Sequence, residues 1–165
     1  MARHNGIRNV LYAACQRAAW SPQLEHTVVP NSNMRPADIL IPIGPSTQPI
    51  ALDVTVINPL SPNIVEHAAK TPDYANSYAE KRKLQKYSKP MEQVNTTFKV
   101  LSLESFGRLS ATTSAFMSKV STAISNRFGG TSKSIFKDIE RKVMVSLVRS
   151  AARSALERVP SRLVF

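Results

Sequence analysis

The sequence predicts an α/β fold, a small mixed β-sheet flanked by helices, on three observations. Short Ile- and Val-rich runs bounded by Pro, Gly and Asn mark strands. Apolar residues recurring every three or four positions mark helices. The two kinds of segment are interleaved before two long helical segments close the chain, an order that suits a sheet covered by helices. With 165 residues, 42% of them apolar, the chain is long enough to bury one core.

The elements follow in order. Residues 3–20 form an amphipathic helix through Ile7, Val10, Leu11, Ala14 and Ala18, stopped by Ser21-Pro22. A short strand is expected at residues 26–29. Residues 37–42 and 50–57 are two further strands, and Gly44-Pro45-Ser46 between them predicts a hairpin. Residues 63–70 and 74–87 are helical, separated by Pro72. Residues 96–103 form the next strand. Helices over 109–128 and 132–158 finish the chain, with Gly129-Gly130 as the break between them. This divides the chain into a core of residues 1–107 and a basic helical extension, residues 108–165, packed on it.

The formal net charge is +11, and it is uneven. Residues 107–165 hold 11 Lys/Arg against 3 Asp/Glu, whereas residues 1–106 hold 11 against 8. Nucleic acid is the polyanion that this layout favours, with DNA and RNA both open on charge alone. In the last helix Lys137, Arg141, Arg149 and Arg153 recur at multiples of four, a stripe suited to phosphate contacts. Its alternative is a merely solvated face. No apolar run approaches the length of a membrane span, and no leader segment is expected, so the reading is an intracellular protein. The single cysteine, Cys15, excludes an internal disulfide and argues against a thiolate zinc site.

Two carboxylates sit inside apolar strands: Asp38 in Ala37-Asp38-Ile39-Leu40 and Asp53 in Leu52-Asp53-Val54-Thr55-Val56. An ionised carboxylate in such a place needs a cation or donors to meet it. On adjacent antiparallel strands the pair can converge at one sheet end and bind Mg²⁺. The plainer alternative pairs Asp38 with Arg35 and leaves Asp53 at a strand edge. On the helix over 74–87, with Ala79, Leu84 and Tyr87 taken as its sheet-facing side, Lys83 lies next to that side, and Lys81 and Lys86 lie farther round.

These pieces together resemble the PD-(D/E)XK nuclease superfamily, and within it the restriction-like endonuclease domains of site-specific non-LTR retrotransposons and related mobile-element proteins. The resemblance runs over residues 3–107 through Arg3-His4-Asn5, Arg35-Pro36-Ala37-Asp38, Asp53-Val54-Thr55-Val56 and Lys83-Leu84-Gln85-Lys86-Tyr87. Two departures stand out: Ala37 is inserted in the Pro-Asp pair, and Thr55 occupies the usual lysine position. The resemblance implies a restriction-endonuclease-like core that cleaves DNA with Mg²⁺, or Mn²⁺ as substitute. It implies Asp38, Asp53 and the Val54 carbonyl as metal ligands, Glu25 as a further acidic residue, and Thr55 on a metal-bound water. Lys83 would stand in for the missing strand lysine. Arg3, His4, Arg35 and Lys86 would contact nucleic acid, as would Arg141, Arg149 and Arg153 from the extension. A homodimer follows by analogy with nucleases that cut both strands, and a nuclear location if the source is eukaryotic. Two other readings compete: a nucleic-acid-binding protein on the same fold without catalysis, and a basic structural or assembly protein whose aspartates are ion-paired.

Overall fold

The computed structural model describes residues 2–24, 37–42 and 48–158. The expected strand at 26–29, the hairpin turn at 44–46, Glu25 and Arg35 fall outside these residues, as does the side chain of Arg3. The elements are α1 (Ala2–Arg17), β1 (Gln23–Leu24), β2 (Ile39–Ile41), β3 (Ile50–Ile57), α2 (Val65–Lys70), α3 (Tyr74–Gln93), β4 (Thr97–Glu104), α4 (Ala111–Phe128) and α5 (Ser132–Leu156). The fold is α/β, with a four-stranded mixed sheet of order β1-β2-β3-β4 and two C-terminal helices. β2 pairs antiparallel with β3 through Ile39–Leu52 and Ile41–Ile50. β4 pairs parallel with β3 from Ile50–Thr97 to Ile57–Glu104. A parallel pair needs a crossover, and α2 and α3 supply it.

Both faces of the sheet are covered, which is why β3 reads as a nearly continuous apolar run. One face carries Ile39, Ile41, Ile50, Leu52, Val54, Leu101 and Leu103 into the large core. There they meet Ile7, Leu11 and Ala14 of α1, Phe116, Met117, Val120 and Ile124 of α4, and Ile139, Val143 and Leu147 of α5. The two C-terminal helices thus supply part of the same core as the sheet. The other face carries Leu40 and Ala51 against Met91 of α3.

Two helix ends differ from the sequence reading. α1 stops at Arg17, where Ala19, with φ 59°, turns the chain back. α3 runs on through Pro90 to Gln93 instead of ending near Tyr87. Pro90 forfeits one helical hydrogen bond, but it lies in the last turn, and the fully buried Met91 fixes that turn against the sheet. α4 and α5 begin at the side-chain caps Ser110 and Thr131, which accept from the N–H groups of Thr113 and Ser134. Among the described residues no helix is long and apolar enough to cross a membrane.

Cys15 lies fully inside the large core, and burial pushes its thiol up to about 12. The folded protein is therefore expected to resist alkylation by iodoacetamide at pH 8 and to label completely in urea. Rapid labelling without denaturant would mean that α1 leaves the core readily.

Candidate metal and phosphodiester site

Alternation along β3 decides where its polar residues go. Ile50, Leu52 and Val54 enter the large core, so Ala51, Asp53 and Thr55 lie on the face covered by α3. Asp53 is only 5% exposed. Its Oδ1 accepts from Lys83 Nζ at 2.8 Å, and its Oδ2 accepts from the Thr55 hydroxyl at 2.6 Å. Burial pushes the Asp53 carboxyl above its ordinary value; the Lys83 and Thr55 hydrogen bonds offset part of this, and the nearby Asp38 charge adds to it.

Lys83 reaches Asp53 because α3 turns small residues toward the sheet. Ala75, Ala79 and Lys83 are four apart and share one line on the helix, and both alanines are buried. Leu84, expected on the sheet-facing side, is 39% exposed instead. Lys81 is exposed and has no ion-pair partner among the described residues. One turn before Lys83, Glu80 reaches over β4 and accepts from Ser102 at 2.9 Å and Thr112 at 3.4 Å. Ser102 is the residue paired with Thr55 in the β3–β4 register, so a polar band crosses from Asp53 to α4. Lys83 and Lys86 stand 5.8 Å and 4.9 Å from the Tyr87 ring centre.

Asp38 sits where the pairing of β2 ends. Its own N–H donates to the Leu52 carbonyl at 2.8 Å. Its Oδ2 accepts from the Val54 N–H at 2.7 Å and from His4 Nε2 at 2.9 Å. The carboxylate thereby satisfies a backbone donor that the short strand leaves over. The hydrogen bond to Asp38 raises the His4 imidazole above its ordinary value, against a smaller opposing effect of burial. His4, expected at a phosphate, is thus engaged with Asp38.

The structure therefore brings together Asp38, Asp53, Thr55, Lys83 and His4. Lys86 lies beside them on a groove of about 460 Å³ that also takes in Thr55, Asn58, Tyr78 and Arg82. Arg141 is tied to Asp138 at 2.7 Å and Lys137 to Glu140 at 2.8 Å, while Arg149 and Arg153 have no acidic partner among the described residues. Sequence reasoning missed the His4–Asp38 bond and a row of stacked rings, His67 on Tyr74 at 5.1 Å and Tyr74 on Tyr78 at 6.3 Å. The four-residue spacing of Tyr74 and Tyr78 was the available signal for the latter.

The donor set fits a hard divalent cation. Mg²⁺ is commonly held by one or two carboxylates and keeps several waters. Asp38 Oδ1 receives no hydrogen bond among the described residues, whereas both oxygens of buried Asp53 are engaged, by Lys83 and Thr55. Among the described residues no group of three or more His, Cys, Asp or Glu is placed to hold a metal ion.

The raised Asp53 carboxyl has a consequence for stability. A carboxyl whose folded value lies above its unfolded value, 3.8, stabilises the fold when protonated. That contribution is complete below 3.8 and is lost as pH rises through the folded value. Without divalent cations, Asp53→Asn is therefore expected to be more stable than the wild type at pH 7, with the gap closing as pH falls toward 3.8. Urea melts at a series of pH values in EDTA measure this. A gap that widened in acid would mean that the Lys83 pair outweighs burial.

No protein-family model, curated protein or solved structure matches the chain.

Proposed function

We propose that the protein is a DNA endonuclease that hydrolyses phosphodiester bonds with Mg²⁺, or Mn²⁺ in its place, held by Asp38 and Asp53. The observation that carries this reading is the buried Asp53–Lys83 ion pair set beside Asp38, where the β2–β3 pairing ends. Thr55 stands where a strand lysine would be expected from the PD-(D/E)XK resemblance, and Lys83 brings an ammonium to the same carboxylate from α3. The bound cation would supply a Lewis acid and a water of lowered pKa.

The side chains divide the remaining work. Asp53 anchors the Lys83 ammonium over β3, where a point charge can neutralise charge developing on a phosphate oxygen. Thr55 fixes the orientation of the Asp53 carboxylate. His4 and the Val54 N–H do the same for Asp38, both acting on Oδ2 and leaving Oδ1 for a ligand. A second reading, nucleic-acid binding without hydrolysis, draws on Thr55 and on the engagement of both Asp53 oxygens.

Cleavage of supercoiled and linear duplex DNA in Mg²⁺ or Mn²⁺ tests the proposal. Asp53→Asn should abolish cleavage and leave DNA binding intact or tighter, since one negative charge is removed beside the phosphate. Lys83→Ala should cost on the order of 2–4 kcal/mol in the single-turnover rate, the scale of one lost electrostatic stabiliser. Lys81→Ala should cost little. Wild-type rates in Asp53→Asn would remove the assignment, and binding without any metal-dependent cleavage would favour the second reading.

A further inference from the structure

Helices α1 and α5 cross closely at Gly6, where an added Cβ would meet the Ser146 hydroxyl. Farther along, Arg17 of α1 lies 3.9 Å from Asp138 of α5. The two helices therefore run antiparallel, and the α5 residues beyond Ser146 lead toward the start of α1. That start carries His4, which is bonded to Asp38.

Beside this crossing is a cavity of about 600 Å³ whose lining includes Gly6, Arg141, Ser146, Arg149, Ser150 and Arg153, and no carboxylate. Its cations are not equivalent. Arg141 and Lys142, which also lines it, are each tied to Asp138 at 2.7 Å. Arg149 and Arg153 have no acidic partner among the described residues, and their four-residue spacing places them on one side of α5. At the rise of an α-helix they lie roughly 4.5 Å and 10 Å beyond Ser146, toward the Asp38 end of α1.

We propose that this groove holds the sugar-phosphate backbone of duplex DNA and leads it toward the Asp38–Asp53 site. Arg149 and Arg153 each take a phosphate, and the Ser146 and Ser150 hydroxyls donate beside them. The groove's charge asks for a phosphodiester chain; the choice of DNA rests on the nuclease reading. An anionic membrane is a poorer match, because the cations line a concavity and the exposed apolar residues of α5, Val145, Val148 and Leu156, include no aromatic anchor.

The test is binding of a fluorescein-labelled 20-base-pair DNA duplex by the full chain in EDTA, measured by anisotropy over a range of salt. Neutralising two phosphate contacts lowers the slope of log K against log salt by roughly 1.8. Arg149→Ala/Arg153→Ala should show that drop and bind about tenfold more weakly at 100 mM salt. Arg149→Lys/Arg153→Lys should restore the slope, which a folding defect would not permit. Arg141→Ala should change the slope by less than half as much. An unchanged slope in the double alanine variant overturns the proposal. So does binding to phosphatidylserine vesicles that depends on the arginine pair while duplex binding does not. Because EDTA removes cleavage, a chain that binds through the pair but never cuts in Mg²⁺ leaves the groove standing and fails only the nuclease reading.

Discussion

A carboxylate in the middle of a sheet constrains everything packed around it. Asp53 lies on β3, with β2 on one side and β4 on the other, and an ionised group there is held away from water. It requires a cation close by, and α3 brings one, the Lys83 ammonium. The helix meets the requirement with small residues: Ala75 and Ala79 let its axis lie close to the sheet, so that Lys83, next in the same line, delivers its ammonium to Oδ1. The position of α3 then fixes Glu80 over Ser102, and through Thr112 ties α3 to α4. A single polar requirement thereby sets the register between helix and sheet that apolar packing alone would leave loose.

The two faces of the sheet do different work. The face toward α1, α4 and α5 sends Ile39, Ile41, Ile50, Leu52, Val54, Leu101 and Leu103 into the larger core, the greater part of the fold's apolar burial. The face toward α3 has a smaller apolar cluster at one end, Leu40, Ala51 and Met91, and the polar site at the other. Such a division suits a site whose charges cost stability: Asp53 can stay uncomfortably buried because the opposite face supplies the apolar burial that holds the strand in place.

Much of the fold was legible because its signals are local. Periodicity gave every helix and the three longer strands, the Gly129-Gly130 break was visible as composition, and the convergence of Asp38 and Asp53 followed from two carboxylates in neighbouring strands. What escaped depended on tertiary contact. The extension of α3 through Pro90 is decided by Met91 packing on the sheet, against the local preference of proline. Leu84 is 39% exposed while its neighbour Lys83 turns to Asp53, an arrangement that an apolar-face count cannot see. His4 was legible as a polar residue at a helix start, but its partner, Asp38, lies 34 positions away, and only the packing of α1 on the sheet joins them.

The same distinction between composition and contact governs the charge. A net charge of +11 suggests many phosphate contacts, yet the last helix neutralises much of its own surface. Asp138 holds Arg141 and Lys142, and Glu140 holds Lys137. These exposed pairs contribute little to stability. Their effect is on where positive potential is left over. With Lys137, Arg141 and Lys142 paired, the cations of this stripe that have no acidic partner among the described residues are Arg149 and Arg153, farther along the helix on the side of the crossing where α1 begins. A stripe that is uniform in sequence thus becomes polarised in the fold, with its unpaired charge gathered beyond the crossing, on the side where α1 begins.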